Sequence, residues 1–143
     1  MAAALFSVYL QKTRPDWQDW LVESAGTWAV NGKTASKNSQ IVMTRRKLDI
    51  RKHRSRIVTS EMLAGSDLII TMETGHKEAL CLEFPFVAAR VFLLNEMVGN
   101  GESIKDPYGG TLQEYEETAS LLENVIEKGM DRILSLVEHG EPQ

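Results

Sequence analysis

The chain lacks several features that define large classes of protein. Its 143 residues contain one cysteine, Cys81, so no disulfide can form within the chain. No apolar run approaches the roughly 20 residues of a membrane-spanning helix. The first six residues have neither the basic start nor the apolar length of a signal peptide. We therefore expect a cytoplasmic protein that needs neither disulfides nor a membrane.

An excess of positive charge is also absent. The formal net charge is −4, from 16 Lys and Arg against 20 Asp and Glu, so a nucleic acid is not expected as a partner. One basic run does occur: Arg45, Arg46, Lys47, Arg51, Lys52, His53, Arg54 and Arg56. It is either a solvated helix end and loop or an electropositive rim that attracts an anionic substrate.

Metal-ligand spacing is missing as well. His76 and His139 lie far apart on predicted helices, and no His, Cys and Asp pattern suits a metal. We predict neither a metal site nor a cofactor. The length suits one domain with a buried core, and no repeat or linker divides it, so residues 1–143 are predicted to form a single domain.

Helical and strand patterns alternate along the chain. Predicted helices cover 2–12, 36–47, 74 to about 85 and about 112–137, and predicted strands cover 20–25, 66–72 and 90–94. The unbroken apolar centre of 66–72 is typical of a strand buried on both faces in a parallel sheet. The alternation predicts an α/β sandwich. Such a domain usually opens with a strand whose following turn binds the ligand, yet this chain opens with a helix.

The segment 106–110 reads Asp-Pro-Tyr-Gly-Gly. Pro107 fixes its own φ and biases Asp106 toward an extended conformation. Thr111 has the character of a helix N-cap, with Glu114 three residues later as in a capping box. A carboxyl held in this way suits proton donation to a leaving group, and a simple turn between loop and helix is the alternative.

Five short segments set this turn in a wider pattern. In chain order they are Met-Ala-Ala-Ala-Leu-Phe (1–6), Glu-Ser-Ala-Gly-Thr (23–27), His-Arg-Ser-Arg (53–56), Asp-Leu-Ile-Ile-Thr-Met (67–72) and the Asp-Pro turn. Together they closely resemble the low-molecular-weight protein-tyrosine-phosphatases, in their bacterial branch, over almost the whole chain. The resemblance implies a three-layer α/β sandwich with a parallel sheet. It also implies hydrolysis of phosphorylated protein through a phosphocysteine, without a cofactor.

One part of the family pattern is not found in these residues. The family carries its nucleophile and phosphate clamp in a Cys-x5-Arg-Ser loop between a first strand and a helix, and Met1 aligns just after that loop. Cys81 cannot replace the nucleophile, because Val87 stands six positions later and the surrounding apolar helical stretch predicts a packed core thiol. We therefore expect an N-terminally truncated chain, without the family's first strand, that is inactive as given.

The resemblance assigns roles to five residues. Asp106 would be the general acid that protonates the leaving group and then activates water. Tyr108 and Trp28 would line the substrate cleft. The alternatives are that Tyr108 is an ordinary surface tyrosine and that Trp28 packs in the core. Ser24 and His53 would support the phosphate loop. The alternatives are that Ser24 only forms a turn and that His53 has only a structural role.

Three interpretations of function stay open at this point. The chain is a phosphotyrosine phosphatase recorded from an internal start, a non-catalytic relative that binds a partner or regulates, or a protein-arginine-phosphatase whose loop lies upstream. The missing strand is central in the family's sheet, so its neighbours would expose unpaired backbone groups. A second copy could fill that slot by strand addition, and we expect a homodimer or poor solubility.

Overall fold

The computed structural model describes residues 1–140. Its helices are α1 (Ala2–Thr13), α2 (Lys37–Arg45), α3 (Ser60–Ala64), α4 (Thr74–Glu83) and α5 (Leu112–His139), and its strands are β1 (Ile69–Thr71) and β2 (Val91–Leu93). Short 3-10 helices span Trp17–Asp19, Pro85–Arg90 and Leu94–Val98. The predicted helices at 2–12, 36–47, 74–85 and 112–137 are confirmed, with ends that differ by a few residues.

Two compact units make up the chain. The first consists of Met1–Ile57 and Pro107–Asn124, and the second of Val58–Asp106 and the residues from Val125 onward. Each unit thus draws on two separate stretches. That residues 1–143 form one domain stays a prediction.

In the first unit, α1 and α2 bury one face each. Leu5 and Leu10 are the buried residues of α1, and α2 buries Val42 and Met43. Ser36 caps α2, because its hydroxyl accepts a hydrogen bond from the backbone N–H of Ser39 at 3.3 Å.

Arg46, at the end of α2, ties that helix to α5. Its Nε lies 2.9 Å from Oε1 of Glu123 and its Nη1 lies 2.7 Å from Oε1 of Glu116, while Nη2 donates to the Ser120 hydroxyl at 3.1 Å. The planar guanidinium meets three acceptors on successive turns of α5 at once, which a lysine cannot do.

Much of the predicted basic rim is therefore paired. Four of its arginines have acidic partners: Arg45 and Arg46 with Glu116, Arg51 with Asp49, and Arg56 with Glu23. These carboxylates offset part of the charge of the four arginines, and the choice between a solvated loop and an electropositive rim stays a prediction.

The predicted strand at 20–25 is wrong. A 3-10 turn covers Trp17–Asp19, and the chain then runs extended with Leu21 83% exposed. Among the described residues this stretch forms no ladder, and it ends at an isolated parallel bridge between Gly26 and Ile57. A strand pattern becomes a strand only when a neighbour pairs with it, and here the backbone meets a partner at one point.

The second unit holds the parallel pair of β1 and β2. Their register aligns Ile69 with Val91 and Thr71 with Leu93. The predicted strands at 66–72 and 90–94 are confirmed as shorter strands. β2 is buried throughout, but Ile69 and Ile70 of β1 are only half-buried, so the expected burial of this strand on both faces is wrong. In the described residues β1 has one neighbouring strand, so its other edge has no paired strand.

A small apolar cluster packs beside this pair. Its buried members are Leu63, Leu80, Val87 and Val91. Cys81 is half-buried and packs against the cluster, which confirms the expectation of a packed thiol.

Helix α5 buries an apolar stripe, with Tyr115, Ala119, Leu122, Val125, Ile126, Met130, Ile133 and Leu136 as its buried positions. The apolar pattern of the sequence predicts a stripe of Leu121, Leu122, Val125, Ile126, Ile133, Leu134 and Val137. Of these, Leu121 is 44% exposed and Leu134 and Val137 are half-buried, so the prediction is confirmed for the other four. Gly129 is buried in the middle of α5. A side chain does not fit there, because a Cβ would lie 2.6 Å from Cβ of Met97.

Gly129→Ala tests this close approach. Alanine has the higher helix propensity, but its methyl group must displace Met97, so we expect a loss of about 1–3 kcal/mol in the free energy of unfolding. Gly75→Ala in α4 is the matched control, because a Cβ there meets nothing within 4 Å. Urea unfolding of both variants decides the point, and equal stability of the two would contradict this account.

Arg46→Lys tests the tie between α2 and α5. The charge is kept while the planar fork is lost, so we expect the free energy of unfolding to fall by about 1–2 kcal/mol. Arg45→Lys is the control, since Arg45 makes one exposed contact with Glu116 at 3.5 Å and should change stability by less than about 0.5 kcal/mol. The account is wrong if thermal and urea unfolding rank the two variants equally.

Candidate functional site

A hollow of about 400 Å³ lies in the first unit at the start of α1. Helix α1 contributes Ala3, Ala4 and Ser7, the extended stretch contributes Val22, Glu23 and Ser24, and the loop after Lys52 contributes His53, Arg54 and Arg56. Ser24 and His53, predicted to support a phosphate loop, are therefore brought to one place.

The first turn of α1 makes this hollow suitable for an anion. The first intrahelical bond runs from the N–H of Leu5 to the carbonyl of Met1 at 3.1 Å, so the three preceding N–H groups have no partner within the helix. Met1 supplies no side-chain cap, and the first turn holds no acidic residue. The N-terminal end of the helix dipole therefore favours a negatively charged group here.

Arg56 fixes the opposite wall of the hollow. Its Nη2 lies 3.0 Å from Oε1 of Glu23, and its Nε donates to the carbonyl of Ser24 at 3.0 Å. This pairing offsets part of the charge of Arg56 while it braces Ser24. Arg54 points its Nη1 at the carbonyls of Arg51 and His53, both at 2.8 Å.

His53 titrates below its ordinary range. Burial of the imidazole lowers the pKa of His53 first, and the positive charges of the chain's amino group, Arg56 and Arg54 lower it further. The neutral imidazole therefore predominates at physiological pH and can both donate and accept a hydrogen bond.

The two aromatic residues assigned to the substrate cleft are strongly exposed. Trp28 and Tyr108 are each 81% exposed, and neither lines the hollow. The alternative of core packing for Trp28 is wrong. The loop that carries Trp28 is fixed through its backbone, because Ser55 bonds to Val30 and Lys33 and the side chain of Asn31 accepts from Ile57.

The predicted acid turn is built as the sequence indicates. In the first unit the N–H of Gly110 donates to the carbonyl of Pro107 at 2.8 Å, and Gly109 adopts φ +79°. A Cβ on Gly110 would lie 2.9 Å from that same carbonyl, so only glycine fits there. The capping box is confirmed: Thr111 N–H donates to Glu114 Oε2 at 2.6 Å, and Glu114 N–H donates to Thr111 Oγ1 at 3.2 Å.

Asp106 lies at the exposed end of a loop in the second unit. Two residues earlier, Ile104 is 3% exposed, and its N–H donates to the carbonyl of Met72 at 2.7 Å. The carboxyl therefore lies two residues after a buried and hydrogen-bonded residue and directly before a proline. Among residues 1–140, no three His, Cys, Asp or Glu side chains are grouped to hold a metal.

Comparison with known proteins decides the family. A model described as low molecular weight phosphotyrosine protein phosphatase matches residues 1–137. The chain belongs to this family. In the described part of the chain, no helix has the length and apolar character needed to cross a membrane.

Individual relatives of this phosphatase-family chain carry two activities in their names. It is 28% identical over 113 residues to a protein-arginine-phosphatase of Geobacillus stearothermophilus, covering 78% of this chain and 76% of that protein. It is 32% identical over 114 residues to the low molecular weight protein-tyrosine-phosphatase Wzb of Escherichia coli, covering 80% and 75%.

Solved structures confirm the fold class. The low molecular weight protein tyrosine phosphatase from T. tengcongensis superposes with a TM-score of 0.85 at 32% identity, covering 92% of this chain and 88% of that one. The YwlE arginine phosphatase from Geobacillus stearothermophilus gives 0.83 at 28% identity, covering 99% and 89%. The predicted α/β fold with a parallel sheet is therefore that of the family.

Some residues that shape the site gave no signal in the sequence. Arg56 and Glu23 are 33 positions apart, and the contact that braces Ser24 depends on how two loops meet. The hydrogen bond between Ile104 and Met72 joins two backbone groups, so no residue type in the sequence predicts it. Arg54 and Arg56 belong to the basic run that the sequence analysis identified. The salt bridge of Arg56 with Glu23 was not predicted.

The perturbed His53 predicts a pH dependence. Because folding lowers the pKa of His53 below its ordinary value of 6.5, the unfolded chain binds more protons as the pH falls through 6.5. Stability should therefore decline from pH 7.5 to pH 5.5, and His53→Gln should remove part of that slope. Urea unfolding across this range and the NMR titration of the imidazole measure both effects. A titration midpoint at or above 6.5 would contradict the assignment.

Proposed function

We propose that this chain supplies the proton-transfer and anion-binding parts of a phosphomonoester hydrolase that acts on phosphotyrosine in proteins. The observation that carries the proposal is the Asp106-Pro107 turn, with a buried anchor two residues before it and a capped helix directly after it. This arrangement limits the positions that the carboxyl can take, as general acid catalysis requires.

Each proton in the proposed reaction has a place. A cysteine thiolate attacks phosphorus, the bond to the leaving oxygen breaks, and that oxygen takes the proton of Asp106. In the second step the Asp106 carboxylate takes a proton from water, the water oxygen attacks phosphorus, and the phosphorus–sulfur bond breaks. Thiolate and inorganic phosphate are released, and the carboxyl is protonated again.

The hollow at the start of α1 supports the same proposal. The unpartnered N–H groups of the first turn and the neutral His53 suit an anionic group and a backbone loop that carries it. In this role Ser24 and His53 hold the phosphate-binding backbone in place. Trp28 and Tyr108, as exposed aromatic rings, are proposed to contact the substrate ring.

The nucleophile does not come from Cys81. Its thiol is half-buried in α4, and no arginine stands six positions later. We propose that the 143 residues alone are inactive, so p-nitrophenyl phosphate turnover by the purified chain should stay at the uncatalysed level. Turnover above background would contradict this. The DNA directly upstream of the Met1 codon shows whether a strand and a Cys-x5-Arg-Ser-Pro segment are encoded in frame.

Asp106→Asn tests the acid directly in a protein that carries that segment. We expect kcat to fall by about 10²–10⁴-fold with a smaller change in KM, because proton donation is lost while binding is kept. Asp67→Asn, an exposed aspartate just before β1, is the matched control and should leave kcat unchanged. Equal kcat values for the two variants would remove Asp106 from the mechanism.

Phosphoarginine is the second candidate substrate. The relatives named as arginine phosphatases favour it. Peptides with phosphotyrosine and with phosphoarginine, compared at matched sequence, separate the two: our proposal requires the higher kcat/KM for phosphotyrosine.

A partner-binding role is favoured by one feature, the edge of β1. In the described residues this edge has no paired strand, and its backbone N–H and C=O groups could pair with an added strand. We propose that two copies associate through it, and light scattering should give a dimer mass. A stable monomer would contradict the dimer without bearing on the role of Asp106. A cytoplasmic location and the absence of nucleic-acid partners stay predictions.

A further inference from the structure

We infer that Asn95 and Ser103 are positioning residues that hold the loop of Asp106, and this inference rests on the proposed role of Asp106 as the proton donor. Both residues belong to the second unit, and both make hydrogen bonds that fix the loop 99–106 from different sides.

Asn95 holds the middle of the loop. It is a buried polar residue, 8% exposed, in the 3-10 helix after β2. The side-chain Nδ2 of Asn95 donates to the carbonyl of Glu102 at 2.9 Å. The backbone carbonyl of Asn95 accepts from the N–H of Asn100 at 3.0 Å. A buried amide is costly unless it is hydrogen-bonded, so this side chain has a strong preference for the loop conformation that satisfies it.

The helix that carries Asn95 is itself fixed. Glu96, the next residue, accepts from the N–H of Leu93 at 2.6 Å and from Lys77 Nζ at 2.9 Å. Lys77 lies on α4, so the 3-10 helix is tied both to the end of β2 and to α4. Asn95 therefore projects from a rigid base.

Ser103 holds the loop from the other side. Its Oγ accepts a hydrogen bond from the N–H of Thr74 at 2.9 Å and lies 3.3 Å from the Thr74 hydroxyl. Glu73, at the N-cap of α4, makes no capping bond with its side chain. The serine of the acid loop thus does what a capping residue would do, because it satisfies an N–H in the first turn of the helix.

The hydrogen bonds of Asn95 and Ser103 fix the loop only a few residues before the Asp106 carboxyl. Ile104, next to Ser103, is buried and bonds to Met72, and Asp106 follows two residues later. Two residues span at most roughly 7 Å. Pro107 restricts Asp106 further to extended backbone, so few conformations are left to the acid.

The experiment uses the 143-residue chain labelled with ¹⁵N. It compares hydrogen exchange at the Ile104 amide and the order parameter of the Asp106 amide in the parent chain and in Ser103→Ala, Ser103→Thr and Asn95→Ala. Ser66→Ala is the matched control, because the Ser66 hydroxyl also makes a hydrogen bond in this unit, but donates it to the Met62 carbonyl of α3 instead of binding α4. The β2 amides serve as the internal reference for global opening.

We expect Ser103→Ala to speed exchange at Ile104 by about tenfold. The Asp106 order parameter should fall from about 0.85 to below about 0.6. Ser103→Thr, which keeps the hydroxyl, should restore both values, and Ser66→Ala should change neither. The β2 amides should exchange within about twofold of the parent in Ser103→Ala, which separates local positioning from general destabilisation.

The inference is overturned if Ser103→Ala leaves Ile104 and Asp106 as ordered as in the parent, or if β2 exchanges faster by the same factor. Should Asn95→Ala fail to fold, the exposed Ser103 still decides the outcome. The readout requires no turnover. A protein that carries the phosphate loop and yet shows no phosphatase activity would therefore defeat the proposed function, whereas an unchanged loop would defeat this inference alone.

Discussion

The loop that carries Asp106 is anchored two residues before the acid by the hydrogen bond from the N–H of Ile104 to the carbonyl of Met72. This bond links the residue after β1 to the loop that ends in the acid. Burial of the Ile104 side chain keeps water away from this bond, so opening it would expose both an apolar side chain and two polar groups. Pro107 then restricts the backbone of Asp106 to extended conformations.

The chemistry of the first unit follows from a different constraint, the uncapped start of α1. A helix whose first N–H groups lack partners attracts negative charge, and small alanines leave those groups accessible. Arg56 pairs with Glu23 on the wall of the hollow, which offsets part of its charge. The positive charges that act on His53 are those of the chain's amino group, Arg56 and Arg54, beside the start of α1.

Local patterns in the sequence predicted much of this. Helices α1, α2, α4 and α5, the two strands of the parallel pair, and the capping box of Thr111 and Glu114 were predictable, because each depends on residues only a few positions apart, whereas the five-residue α3 was not predicted. Features set by distant parts of the chain were not. The residues 20–25 have a strand pattern but pair with no neighbouring strand among the residues that the structure describes. Trp28 is exposed in a loop that long-range hydrogen bonds fix. Arginines of the basic run form salt bridges with carboxylates far away in the sequence. The arrangement around Asn95 and Ser103 likewise depends on contacts between elements, which no spacing rule shows.

The central claim is that Asp106 gives a proton to the leaving group. Its most direct test is the dependence of kcat/KM on leaving-group acidity, measured over a series of aryl phosphates with a protein that carries the Cys-x5-Arg segment. An enzyme with the acid in place should show a nearly flat dependence, because every leaving group departs protonated, and Asp106→Asn should show a steep one. The same slope in both proteins would contradict the account.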